Sequence, residues 1–253
     1  MPDPYLQALM TGQLKIVKDK FAVALEEKID RYLDTLDFSG EDDKLRLPAM
    51  KRSRLRAQLL DTAKQNDPYE HVNDALGILK SEGIKYLQED VLSNLFKEIS
   101  AIGDSMAGIN VENLSDEEFS LLCTVSGGSL NALSEMAIAK FDEQDYSQCL
   151  SLSILLTSLD DNNADYWMRA GIAAQELQKF PMALYGYTRA LDLDEGLIRA
   201  RLFAAECCLA SGLIAEAHNH CLEAENFART NDLDVDSREL LVLLMKELPS
   251  SSQ

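Results

Sequence analysis

Residues 165–194 read DYWMRAGIAAQELQKFPMALYGYTRALDLD. Two amphipathic segments flank a short polar break. Gly171 lies in the first, Ala183 and Ala190 in the second. Small side chains at helical spacing let two helices approach closely. The stretch therefore reads as a helical hairpin, and the fold turns on what that hairpin packs against.

Shifting the sequence by one repeat length answers this. The positions of Trp167, Gly171, Ala183, Tyr187 and Ala190 are held one period earlier by Leu133, Ala137, Cys149, Ser153 and Leu156. One period later they are held by Arg201, Ala205, Ala217, Cys221 and Ala224. The period is about 34 residues, and these are the W, G/A, A, F/Y and A positions of a tetratricopeptide (TPR) repeat. A register shared by three segments predicts an all-α, TPR-type solenoid of helical hairpins over 130–231, each repeat packing on its neighbour. The Ala- and Cys-rich stretch ARLFAAECCLASGLIAEAHNHCLEAEN (200–226) is then the third hairpin. DVDSRELLVLLMKEL (234–248) predicts a last helix, so 232–253 reads as a capping helix and tail.

Upstream, 1–102 reads as an N-terminal helical region of unassigned role. Leu14, Val17, Phe21, Leu25 and Ile29 lie on one helical face. KRSRLRAQLLDTAKQ (51–65) predicts a second helix. Asp67, Pro68 and Glu70 fit N-cap, N1 and N3 of a helix over about 68–81, and another follows at about 84–101. Residues 103–129 read as a linker and entry helix. Ser115 and Glu118 have capping-box spacing there, and SGG at 126–128 reads as a loop.

Composition agrees with a helical chain. Among 253 residues there are only 12 glycines and 6 prolines. The formal charge of −19 gives no basic footprint for nucleic acid. It suits solubility, or a basic or apolar partner. No apolar run reaches the roughly 18–20 residues of a membrane span, so no membrane insertion is expected. The N-terminus lacks a signal-peptide pattern, and the 5 cysteines include no C-x-x-C. Reduced thiols in a cytosol are the simplest reading.

The stretch 130–228 resembles the class II chaperones of bacterial type III secretion. LSEMAIAKFDEQDYSQCLSLSILLTSLD (133–160) is similar to that family's first repeat, with Phe141 and Tyr146 at its aromatic positions. Residues 165–194 are similar to the second. ARLFAAECCLASGLIAEA (200–217) is similar to the third, around A-A-E-C-x-L-x-x-G-x-x-x-E-A. The resemblance implies a cytoplasmic bacterial protein that holds a secreted translocator or effector in a concave groove before export. It implies no cofactor, and it admits a homodimer.

In a TPR stack the first helix of each repeat lines the concave face. Groove positions here are Asn131, Ser134, Ile138 and Phe141, then Asp165, Met168, Ile172 and Gln175, then Arg199, Leu202, Glu206 and Leu209. The apolar members predict a trough with polar edges, suited to an extended peptide. The expected cargo-binding residues are Ile138, Phe141, Met168, Ile172 and Leu202, with Tyr166 added by the resemblance. Positions 5 and 9 of the repeats, Ser134, Met168 and Leu202 and then Ile138, Ile172 and Glu206, lack the cationic clamp that takes a C-terminal carboxylate.

Other features weigh less. KLRLPAMKRSRLR (44–56) reads as a solvated face that offsets nearby acids. His218 and His220 point to opposite sides of a helix and cannot easily share a metal. His71 has no evident partner. Cys149, Cys207, Cys208 and Cys221 suit helix contacts as small hydrophobes. No nucleotide-binding, hydrolase-elbow or zinc-protease motif occurs, so an enzyme is not expected. The alternative to a chaperone is a TPR scaffold or adaptor of the secretion apparatus with a separate N-terminal interaction module. A fragment starting at residue 116 that still held cargo would favour the chaperone.

Overall fold

The computed structural model describes residues 68–106 and 125–248, with Arg52, Ser53 and Arg56. Every regular element among the described residues is a helix. In chain order these are α1 (Pro68–Tyr86), α2 (Glu89–Met106), α3 (Gly127–Asp142), α4 (Tyr146–Leu159), α5 (Ala164–Glu176), α6 (Phe180–Leu193), α7 (Ile198–Ala210), α8 (Ile214–Ala228) and α9 (Val235–Glu247). One compact unit comprises His71–Ile99 and Val111–Gln253. The other, Met1–Glu70 with Ser100–Asn110, lies almost wholly outside the described residues. The amphipathic stretch from Leu14 and the capping box at Ser115 and Glu118 fall outside as well. Arg52, Ser53 and Arg56, from the segment expected to be helical, are helical.

The three hairpins α3–α4, α5–α6 and α7–α8 follow the 34-residue register. The turns between their helices show it most clearly. Gln144, Gln178 and Gly212 occupy equivalent places and have φ of 63°, 58° and 74°. Each helix end is closed by paired backbone bonds of the Schellman type. Asp145 N–H donates to Lys140 O at 2.9 Å, Lys179 to Ala174 at 2.9 Å and Leu213 to Cys208 at 2.8 Å. The left-handed conformation costs an L-residue about 1 kcal/mol. Gln178→Gly is therefore expected to stabilise the fold by roughly 0.5–1 kcal/mol, since the new residue adopts the native φ without strain. A urea midpoint that rises with unchanged slope would show it; an unchanged or lower midpoint would refute it.

N-caps fix several starts. Ser126 accepts from Ser129 N–H, Asp145 from Gln148, Asn163 from Asp165 and Asp234 from Ser237. The SGG at 126–128 is thus not a loop: Ser126 is the cap, and Gly127 and Gly128 are the first helical residues. The helix ending near 101 in the sequence reading runs to Met106, into the stretch taken for a linker. Asp234 takes both the backbone N–H and the hydroxyl of Ser237, and Arg199 lies 3.3 Å away. Those bonds hold its carboxyl down at about 2.

Three apolar clusters run along the stack. The first joins α1–α4 and includes Leu79, Leu95, Leu133, Met136, Leu152 and Leu156. The second centres on α4–α7, with Cys149, Ala174, Ala183, Tyr187 and Cys207. The third gathers Leu202, Cys221, Leu241 and Leu244 under α9. Helix α9 packs on both α7 and α8, closing that end of the stack.

The second helix of a TPR hairpin usually keeps a wet outer face. In α4 every residue from Cys149 to Thr157 is buried. A helix buried all round needs neighbours on every side. Helix α1 supplies the missing one. His71 Nδ1 lies 3.0 Å from Ser151 Oγ, and Glu82 Oε1 accepts from Gln148 Nε2 at 3.3 Å. At the far end Lys140, only 3% exposed, reaches Glu82 at 2.7 Å and lies 4.7 Å from the Tyr86 ring centre. Tyr86 donates its hydroxyl to Glu143 at 2.8 Å. Burial works against the Lys140 charge, but the bonds to Glu82 and Tyr86 outweigh it and raise its pKa. Residues 71–99, grouped in sequence with the N-terminal region, thus pack as part of the repeat unit.

Candidate functional site

The first helices of the hairpins, α3, α5 and α7, are tied to one another by polar bonds. Arg169 Nη1 on α5 donates to Ser134 Oγ on α3 at 3.0 Å. Gln175 Nε2 on α5 donates to Glu206 Oε2 on α7 at 2.7 Å. Gln175 Oε1 in turn accepts from the buried Tyr187 hydroxyl at 2.6 Å. These bonds set the register of the face that would be the groove.

The six expected binding residues divide on this face. Ile138 is 43% exposed. Phe141, Met168 and Ile172 are partly exposed, with their inner sides against the central cluster. Phe141 is steadied by an edge contact to Tyr146, with ring centres 5.2 Å apart. Tyr166, at 6% exposure, belongs to the first core cluster. Leu202, at 0%, belongs to the third. Neither presents its side chain to solvent in this structure. For Leu202 the reason is α9: the repeat spacing makes all three repeats alike, but in the last one Leu202 packs in one buried cluster with Leu241 and Leu244 of α9. The exposed apolar stripe is Ile138, Phe141, Met168 and Ile172, on α3 and α5, with exposed Asn131 and Asp165 among the polar residues beside it.

Arg169 stands one residue beyond the groove position Met168, outside the regular groove spacing. Its guanidinium is partly buried, and burial draws its pKa below the ordinary value. Its hydrogen-bond partner is the neutral Ser134, and no carboxylate of the described residues lies within ion-pairing distance. Its sequence signal was slight: it is the one cation in the α5 segment ADYWMRAGIAAQE.

The remaining candidates are structural in their surroundings. Cys149, Cys207, Cys208 and Cys221 are free and buried at helix contacts. Burial pushes the Cys207 thiol up to about 12 and that of Cys221 to about 11, which disfavours the reactive thiolate. His71 has partners after all, in Ser151 and, at 3.5 Å, Lys179 Nζ. The Nδ1 atoms of His218 and His220 are buried without a hydrogen-bond partner. Among the described residues no set of His, Cys, Asp and Glu comes together as a metal site. Nor, among them, is any helix long and apolar enough to cross a membrane.

No protein-family model and no curated protein matches the sequence. Solved structures do match. The CopN–Scc3 complex aligns at 15% identity and a TM-score of 0.50, covering 62% of this chain and 97% of that one. The Yersinia enterocolitica type III secretion translocator chaperone SycD aligns at 20% identity and a TM-score of 0.46, covering 53% and 94%. SycD in complex with a peptide of the translocator YopD aligns at 22% and 0.44, covering 49% and 92%. Over about half its length, this chain is similar in structure to type III secretion translocator chaperones.

Proposed function

We propose that this protein is a cytoplasmic TPR chaperone of a bacterial type III secretion system. It holds an extended, apolar-anchored segment of a secreted translocator or effector until export. It acts by binding alone and carries out no catalytic step.

The observation that carries this reading is the stripe formed by Ile138, Phe141, Met168 and Ile172. Ile138 is open to solvent and the other three partly so, on the first helices of two adjacent repeats with polar residues beside them. An extended segment with spaced apolar side chains fits such a face. Covering those side chains on a client shields it from self-association. The cargo class follows from the resemblance over 130–228, and a complex of SycD with a translocator peptide is of the same kind. The charge of −19 suits an apolar or basic client.

The test is recovery of the client. Phe141→Glu combined with Met168→Glu puts two carboxylates in the stripe, where desolvation opposes them. Co-purifying cargo should fall by about tenfold or more, as a cost above roughly 1.4 kcal/mol requires. Because Phe141 and Met168 also touch the core, Ile138→Glu serves as the second variant. Ile138 is the most exposed of the four and should lose cargo with no change in helicity or melting. Unchanged recovery with both variants would remove the groove assignment.

A further inference from the structure

We infer that the peptide segment bound on the α3–α5 face carries an acidic side chain next to its apolar anchors, and that Arg169 receives it. This inference rests on the groove reading and adds a specificity to it.

The chain has 43 acidic residues and 24 basic ones. In such a chain a partly buried cation has acids in abundance to draw on. Lys140 has Glu82, Arg189 has Asp192 and Arg201 has Glu223, while Lys179, away from the stripe, meets the ring of His71. Among the described residues Arg169 has a hydrogen bond to Ser134 alone. A guanidinium offers five N–H donors, and the single bond to Ser134 leaves most of them unused. Asp165, one turn earlier on α5, is exposed and contributes only through its field.

The location matters as much as the missing partner. Ser134 is a groove position of α3, and Arg169 adjoins Met168 on α5. The Arg169–Ser134 bond therefore crosses between the two helices that carry the apolar stripe. Partial burial strengthens any ion pair formed there relative to one in open water. A carboxylate matches the planar fork in a two-point arrangement that a neutral amide cannot equal. A client with Asp or Glu beside its apolar residues would gain on this face, and a purely apolar one would leave the charge unmatched.

A phage-displayed library of random short peptides, selected on the full-length chain, tests this. Selection is run on wild type, on Arg169→Gln and on Ile138→Glu. Gln keeps a polar, neutral donor at this position, and matching thermal melts would confirm that the variant folds. The expected result is enrichment of Asp or Glu beside apolar residues on wild type. On Arg169→Gln the apolar residues should persist without the acid. A selected acidic peptide should lose about tenfold in affinity on Arg169→Gln, and its Asn or Gln counterpart should bind both proteins alike. Apolar enrichment without acidic preference on wild type would overturn the role of Arg169 and leave the groove standing. Peptides that bind Ile138→Glu as well as wild type, or no selection at all, would overturn the groove and this inference with it.

Discussion

A chain cut before residue 116 is expected to lose its native fold, whereas one cut before Pro68 keeps it. The reason is α4. Its residues Cys149–Thr157 are buried all round, and α1 provides part of that cover. Removing α1 and α2 strips Leu79, Leu87 and Leu95 from the first core cluster and uncovers Leu152, Leu155 and Leu156. Each of the three lost leucines is worth about 1.5–3 kcal/mol of apolar burial. Their sum is comparable with the roughly 5–15 kcal/mol that stabilises an ordinary domain. Lys140 suffers as well. It loses Glu82 and Tyr86 and keeps only Glu143, at 3.5 Å. The shorter fragment should elute as aggregates, bind a hydrophobic dye and melt without cooperativity. The fragment from Pro68 should be monodisperse with a sharp transition. A well-behaved 116–253 fragment with the melting point of the full chain would sink the prediction. If the prediction holds, loss of cargo on deleting 1–115 would not place the binding site in the N-terminal half.

That dependence was not readable from the repeat pattern. Equivalent small residues at 137, 171 and 205 reveal a hairpin stack because each repeat is a local copy of the next. The partner of α1 is set instead by contacts such as His71–Ser151, which join residues 80 positions apart. A periodic apolar face on α1 shows that it packs against something, but carries no address. The same limit explains Leu202. Its position in the repeat points to the groove, but whether that groove is open depends on α9, which follows no repeat signature. SGG at 126–128 reads as a loop because glycine is a breaker, but a serine cap outweighs two exposed glycines at a helix start. Arg169 lies outside what a consensus conveys, because a consensus describes where the average side chain points. Its long side chain reaches a neighbouring helix from an adjoining position. The exposed stripe itself was legible, since Ile138, Phe141, Met168 and Ile172 all came from the first two repeats, where the regular geometry holds.

Gly186→Ala is the substitution expected to cost most for a single added carbon. A Cβ at Gly186 would lie 2.9 Å from the Gly171 nitrogen, 3.0 Å from its Cα and 3.0 Å from the Trp167 carbonyl oxygen. All three obstructing atoms are backbone of α5, so no rotamer change can relieve the contact. Helices α5 and α6 would have to separate, with the second core cluster between them. Overpacking of this sort costs about 1–3 kcal/mol. Alanine is favoured over glycine in a helix by up to about 1 kcal/mol, which offsets part of it. The net loss should still be about 1–2 kcal/mol, because the clash is with main chain. The partner glycine is equally confined: a Cβ at Gly171 would come within 2.6 Å of the Tyr187 ring. That ring is fully buried, and its hydroxyl is held by Gln175, which also reaches Glu206 on α7. Displacing it would disturb the register of the groove face itself. Gly77 supplies the control. It is helical and exposed, and a Cβ there would meet nothing within 4 Å. Gly77→Ala should stabilise by about 0.5–1 kcal/mol through helix preference alone. Urea unfolding of the two variants should therefore move the midpoint in opposite directions. A Gly186→Ala midpoint at or above wild type would mean that α5 and α6 do not cross as closely as this glycine pair requires.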